Sequence, residues 1–213
     1  MVINKKVLIT AGPTWIAIDK ARVISNIASG QTGFILAEKL IELGAKVTLL
    51  LGPGYFCGSE MAIKVIVFKY FSQLKQLLAK ELRKGGYAAL IHAAAVSDYR
   101  PKGGVIRNKI SSHLKNFKIN LIPTEKLINS FKNYNSGLFT VGFKFEPAST
   151  DSQLVKKATI LLKEANLNLV VANSNKNMSY RAYILDGINK HGPFLSKVKM
   201  ASYLSKLIEK GVS

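Results

Sequence analysis

The chain has 213 residues, of which 48% are hydrophobic and 20% charged; this supplies one full α/β core and excludes a disordered chain. Lys and Arg number 31 against 12 Asp and Glu, a net charge of +19. The lysines are spread along the whole length, without a basic block, an arginine-rich arm or interleaved aromatics. They therefore read mainly as compositional bias, partly as an anion-binding site, and least as a nucleic-acid footprint.

In chain order, Lys6–Ala11 is apolar and partly β-branched, and it reads as a buried strand closed by Gly12-Pro13. Gly33–Leu43 places Phe34, Ala37, Leu40 and Ile41 on one helical face, with Gly44 as its stop. Lys46–Leu51 is a second strand ended by Gly52-Pro53, and Ile63–Phe68 is a third. Ser72–Arg83 is a helix carrying Leu74, Leu77, Leu78 and Leu82, and Ala88–Ala95 is a fourth buried strand. Asp98–Ser112 is polar and glycine-containing and reads as a long loop. Phe117–Ile122 follows as a strand, and Thr124–Asn133 as a helix that Thr124 caps. Phe139–Phe143 (strand), Ser152–Glu164 (helix), Leu167–Ala172 (strand) and Ala182–Leu185 (strand, before Asp186-Gly187) complete the alternation, and Lys199–Lys210 closes the chain as a helix. Strands alternating with amphipathic helices predict a Rossmann-like, doubly wound α/β fold, its sheet mostly parallel with helices on both faces. No repeat or linker divides the chain, so residues 1–213 read as one domain.

Other functions are narrowed by what the residues lack. No apolar run reaches the roughly 20 residues of a membrane helix, and the start shows no signal-peptide core, so a cytoplasmic location without a membrane partner is expected. Cys57 is alone and sits among glycines and Pro53 with no neighbouring acid–base pair; it reads as a plain thiol. His92, His113 and His191 have no ligand spacing, so no protein-held metal is expected.

Ligands of an open parallel sheet sit beyond the carboxyl ends of its strands. Four segments should meet there: Gly12–Gly33, Val96–Lys109, Phe143–Glu146, and Asn173 with its neighbours. The first is far longer than a strand-to-helix turn needs. Its Asn26, Ser29, Gly30 and Gly33 precede a helix, where free N–H groups and the helix dipole favour a phosphate, and Ser29 or Thr32 is placed to cap. Asp98, at a strand end, suits a ribose hydroxyl or a metal-bound phosphate, and Lys109 on a loop suits a moving triphosphate. A dinucleotide fingerprint is missing, since Ala28 stands at its first glycine. Gly52-Pro53 replaces the acid that would end the second strand, and none of the eight tyrosines has a lysine four residues later.

The ordered set Gly12-Pro13-Thr14, Ile18-Asp19, Arg22-Val23-Ile24-Ser25-Asn26, Ser29-Gly30, Gly33-Phe34, Ala93-Ala94-Ala95-Val96-Ser97-Asp98-Tyr99, Lys109-Ile110-Ser111-Ser112, Val141-Gly142-Phe143-Lys144 and Val171-Ala172-Asn173 resembles the phosphopantothenate–cysteine ligases. This family also forms the second half of the bifunctional coenzyme A biosynthesis flavoprotein. The resemblance covers essentially the whole chain. It implies joining of 4′-phosphopantothenate to L-cysteine through an acyl-nucleotidylate, with CTP expected ahead of ATP and pyrophosphate released. By matching position, it implies that Asn26 and Lys109 are catalytic. Gly12, Ser29, Gly30, Gly33, Ala93, Ala94, Ala95, Asp98, Lys109 and Phe143 would bind nucleotide, and Arg22 and Asn26 phosphopantothenate. It further implies Mg²⁺ with the triphosphate, no flavin, a homodimer, small-molecule substrates without nucleic acid, and a possible separate decarboxylase partner. Two lysines of the fused bacterial enzymes are replaced by Leu161 and Ala165, Phe143-Lys144-Phe145-Glu146 is closer to the stand-alone and eukaryotic forms, and Trp15-Ile16 replaces a commoner charged pair. Two other readings stay open on the residues: an NAD(P)-dependent reductase on a related fold, and a basic nucleic-acid-binding module without catalysis.

Overall fold

Val7, Leu8 and Ile9 are completely buried, which an alternating strand achieves only when both sheet faces are covered and both edges paired. In the computed structural model, which describes residues 2–54, 63–176 and 179–212, this segment is the strand β1 (Lys6–Ala11). The chain continues as β2 (Trp15–Ala17), β3 (Val23–Ser25), α1 (Gln31–Glu42), β4 (Lys46–Leu51), β5 (Lys64–Val67), α2 (Phe71–Lys84) and β6 (Tyr87–His92). Then come β7 (Tyr99–Pro101), β8 (Leu121–Pro123), a 3₁₀ turn (Leu127–Ser130) running into α3 (Phe131–Tyr134), and β9 (Phe139–Phe145). The last elements are α4 (Asp151–Glu164), β10 (Leu169–Lys176), β11 (Ser179–Leu185), β12 (Lys190–Phe194) and α5 (Lys197–Gly211).

Eight strands form the main sheet in the order β12-β11-β10-β9-β6-β1-β4-β5. Those from β5 to β10 are parallel, and β11 and β12 add antiparallel. The chain winds outward from β1 through β4 to β5, then returns to β6 on the other side of β1. The two connections leaving β1 and β6 therefore diverge, and the crevice between them is the fold's switch point. Helices α1 and α5 cover one face over Phe34, Leu36, Leu40, Met200 and Leu204. Helices α2 and α3 cover the opposite face at Leu74, Leu78, Leu82 and Phe131, and α4 covers it beyond β9 through Leu154, Ala158 and Leu162. The doubly wound, mostly parallel sheet expected from the sequence is the fold observed.

Local departures have local causes. The long first loop contains an antiparallel hairpin, β2 with β3, and the Asp98–Ser112 loop contains β7, which pairs with β8. Of the strand expected over Phe117–Ile122, only its end belongs to β8. The expected helix Thr124–Asn133 shrinks to the 3₁₀ turn and α3, and Thr124 does not cap it: its hydroxyl donates to the Ser97 carbonyl at 2.6 Å. The edge strand β12 lies over His191-Gly192-Pro193, composition that a central strand excludes and an edge tolerates. Cys57 lies outside the described residues.

Candidate active site

The crevice is built from backbone first. At the end of β1, Ala93 N–H donates to Thr10 O at 3.0 Å and Ala95 N–H donates to Gly12 O at 2.9 Å, while Thr14 N–H returns to Ala95 O at 3.3 Å. Gly12 and the Ala93–Ala95 run are thus zipped together across the switch point, and Thr14 Oγ1 accepts from Ser97 N–H at 2.9 Å. Gly12 adopts φ 78°, and a Cβ there would lie 3.0 Å from the Gly52 carbonyl oxygen, so a side chain is excluded twice over.

Helix α1 starts over this seam. Its N-cap is Gly30 at φ 79°, with no side chain capping it; Ser29 Oγ accepts only from Gln31 N–H, at 3.3 Å, and Thr32 makes no cap. The capping expected of Ser29 or Thr32 is therefore corrected: a left-handed glycine takes that position, Gly33 and Phe34 N–H donate to its carbonyl at 3.0 and 3.4 Å, and no side chain covers the end of the helix dipole, which favours an anion. A Cβ on Gly33 would fall 2.3 Å from Ala11 Cβ, so glycine is what lets α1 lie directly on β1. A Cβ on Gly54 would fall 2.6 Å from Ser29 O, which brings the loop after β4 against the same corner.

Asn26 is exposed and reaches across the seam, its amide donating to the carbonyls of Ala95 at 3.3 Å and Val96 at 3.1 Å. Arg22 points elsewhere: its Nη1 donates to Asp19 Oδ2 at 2.6 Å and to Ile110 O at 3.1 Å. Lys109, next to Ile110, is exposed and has no ion-pair partner among the described residues. Asp98 is exposed and ion-paired with Lys126. Phe143 is half-buried on β9, level with Val171 of β10, and Phe145 beyond it is exposed. Glu146 is held by Lys144 at 3.1 Å and Lys157 at 2.7 Å, which keeps its carboxyl below the usual carboxylate range, Lys157 contributing most.

Two side chains add to this end: His92, whose place a reading of the sequence misses, and Asn173, which it expects here. Thr10 and His92 share a buried hydrogen bond of 2.8 Å behind Ala93–Ala95, and the Thr10 hydroxyl also accepts from Ala94 N–H at 3.3 Å. Burial pushes His92 down to about 4, so the ring is neutral and shielded, no candidate for proton transfer at neutral pH. Asn173 Oδ1 is buried without a hydrogen-bond partner, on the strand beside Phe145, an acceptor left for a ligand or water. Ala165 is buried at the end of α4, which leaves the carboxyl end of β9 and returns to the start of β10, whereas Leu161 packs mid-sheet, its Cδ2 3.8 Å from where a Cβ on Gly142 would lie. Among the described residues no three His, Cys, Asp or Glu side chains cluster to hold a metal, and no helix is long and apolar enough to cross a membrane. A cavity of about 340 Å³ lies to one side, lined by Ile18, Pro101, Ile106, Phe117 and Ile119 among others, and by none of the expected nucleotide-binding residues.

The family model for the DNA/pantothenate metabolism flavoprotein C-terminal domain matches residues 2–210. The coenzyme A biosynthesis bifunctional protein CoaBC of Thermococcus kodakarensis is 32% identical over 217 aligned positions, covering 97% of this chain and 51% of that protein. The chain thus spans about half the length of the curated relatives it matches. Among solved structures, the DNA/pantothenate metabolism flavoprotein from Streptococcus pneumoniae superposes with a TM-score of 0.86 at 25% identity, covering 97% of this chain and 99% of that one. The C-terminal domain of a CoaBC protein does so with 0.79 at 26%, covering 98% and 96%. With near-complete coverage by the family model and a glycine-lined switch-point crevice on the matching fold, this chain belongs to the DNA/pantothenate metabolism flavoprotein C-terminal domain family.

Proposed function

We propose that the chain is a ligase that joins 4′-phosphopantothenate to L-cysteine in coenzyme A biosynthesis. The observation that carries this reading is the seam of Gly12 with Ala93–Ala95, spanned by Asn26 and overlain by the start of α1 that no side chain caps, in a chain that aligns over 97% of its own length with half of a coenzyme A biosynthesis protein. The pantothenate carboxylate attacks the α-phosphorus of a nucleoside triphosphate and pyrophosphate leaves. The cysteine amine then attacks the acyl carbon, the nucleoside monophosphate leaves with the bonding electrons, and the amine gives up its proton. Pyrophosphate needs no protonation to depart, so positioning and charge stabilisation do the work, and a crevice without an acid–base dyad suits the chemistry.

In this reading Asn26 holds the acyl carbonyl of the intermediate. Ser29, Gly30, Gly33 and the backbone at Gly12 take triphosphate oxygens, Ala93, Ala94 and Ala95 offer backbone groups to the base, and Phe143 flanks it. Asp98 binds on the nucleotide side and must exchange its Lys126 partner to do so. Lys109 neutralises charge as pyrophosphate leaves, and Arg22 serves the phosphopantothenate side. Magnesium would fit as an ion carried in on the triphosphate, where it would screen phosphate charge: Asp98 and Glu146 are already paired with lysines, and among the described residues no resident cluster competes. No flavin enters these steps.

CTP is proposed ahead of ATP. A homodimer is proposed too, the exposed Tyr99, Phe117 and Leu121 around β7 and β8 offering apolar surface; sedimentation at micromolar concentration tests it. A separate decarboxylase would supply the half of the relatives that this chain does not span. The test of function mixes the protein with phosphopantothenate, cysteine, Mg²⁺ and each triphosphate in turn. Pyrophosphate release that requires phosphopantothenate supports the ligase, and no release with any triphosphate defeats it.

A further inference from the structure

The segment from Lys102 to Asn120 has little regular structure and is almost wholly exposed, yet it carries Lys109. Left to itself, such a segment spreads a lysine over many positions, and each use of it would require that freedom to be given up. It is instead stitched to the turn joining β2 and β3. Ile106 N–H donates to Ile18 O at 2.8 Å. Four residues on, both backbone groups of Ile110 are taken: its N–H donates to Asp19 Oδ2 at 2.9 Å and its carbonyl accepts from Arg22 Nη1 at 3.1 Å.

The centre of the clamp is the Asp19 side chain, which is fully buried and accepts four hydrogen bonds. Oδ1 takes the N–H groups of Ala21 and Arg22, both at 2.7 Å; Oδ2 takes Ile110 N–H and the Arg22 guanidinium, the latter at 2.6 Å. The hairpin that carries it is tied to the connection between β5 and α2, since Trp15 N–H donates to Lys69 O at 2.8 Å. A buried carboxylate is retained only where it is fully satisfied, and here a quarter of that satisfaction comes from a loop amide 91 residues away. The Ile110 amide is also the largest of the influences holding the Asp19 carboxyl well below the usual carboxylate range.

We propose that Asp19 is the positioning residue for Lys109: through Ile110 it fixes the loop so that the lysine stands ready for the triphosphate, and it holds Arg22 as the second arm of the same clamp. The role assigned to Lys109 rests on the ligase reading; the clamp does not. The experiment measures amide exchange at Ile110 by NMR and turnover by pyrophosphate release, in the wild type, Asp19→Asn, Lys109→Gln and the double variant. Asp19→Asn keeps the shape but sets an amide or a weaker acceptor against the Ile110 N–H. Exchange at Ile110 should quicken about tenfold or more. Turnover should fall about tenfold when Lys109 is present and less than about twofold when it is already Gln. Should Asp19→Asn not fold, Asp19→Glu keeps the charge but moves the carboxylate by one methylene, and should quicken Ile110 exchange and lower turnover in the same Lys109-dependent way. Unchanged Ile110 exchange overturns the clamp, and an equal turnover loss in both lysine backgrounds overturns the positioning role. A wild type that releases no pyrophosphate with any triphosphate defeats the ligase reading and with it the role at Lys109, while the exchange rates still decide the clamp.

Discussion

Acid should loosen the fold through His92, the last residue of β6. Its ring is buried against Phe131 at 5.0 Å between centroids, and burial lowers its pKa from 6.5 to about 4. Between those values the unfolded chain takes up a proton that the native ring refuses. The stabilisation is therefore complete above about pH 6.5 and is lost as the pH falls toward 4. One pKa unit corresponds to about 1.4 kcal/mol, so lowering the pH from about 7.5 to about 4.5 should remove about 2–3 kcal/mol through this residue. Urea denaturation of the wild type and of His92→Gln at both pH values measures it. The paired carboxylates Glu81, Glu146 and Asp151 are held below their usual range, so their share is lost only at the acid end of the window, and in both proteins alike. The difference in pH response between the two proteins isolates the ring. If the variant loses as much stability on acidification as the wild type, the reasoning about the buried neutral histidine fails.

Asn26→Asp sets a carboxylate against the Ala95 and Val96 carbonyls at an exposed position, so turnover should fall about a hundredfold while stability moves by about 0.5 kcal/mol or less. Steady-state pyrophosphate release and a denaturation curve give both numbers, and unchanged turnover removes Asn26 from the chemistry. Lys109→Gln should likewise lower turnover about a hundredfold with a melting temperature within about 1 °C of the wild type; the reverse pattern would make Lys109 structural. Gly33→Ala drives a methyl to 2.3 Å from Ala11 Cβ and should cost about 1–3 kcal/mol as α1 lifts from β1. Its triphosphate KM should rise as the start of the helix moves, and a variant with wild-type stability would show that the contact has slack.

The central strands are legible in the sequence because burial on both faces leaves continuous apolar runs, Val7-Leu8-Ile9 and Leu49-Leu50-Leu51 among them. The hairpin of β2 and β3 is not, because three-residue strands are too short to show a period and Ile16 is the one residue of the six that is buried. Thr124 misleads for a different reason. A threonine before an apolar run is a cap signal, but the Ser97 carbonyl, 27 residues earlier, wins its hydroxyl. At the crevice, Gly12, Gly30 and Gly33 announce themselves, since each sits where a Cβ would meet strain or a neighbour. Asp19 and Arg22 are visible as a local pair, whereas their hold on Ile110 depends on a contact across 88 or more residues that no spacing rule encodes.

The central claim is that the crevice activates a carboxylate by nucleotidylation, and withholding cysteine tests it most directly. Rapid-quench mixing of enzyme with phosphopantothenate, Mg²⁺ and CTP, or in a parallel run ATP, should release about one pyrophosphate per site and then stop, until added cysteine restarts turnover. Pyrophosphate released without phosphopantothenate, or no release before cysteine is present, would contradict the account.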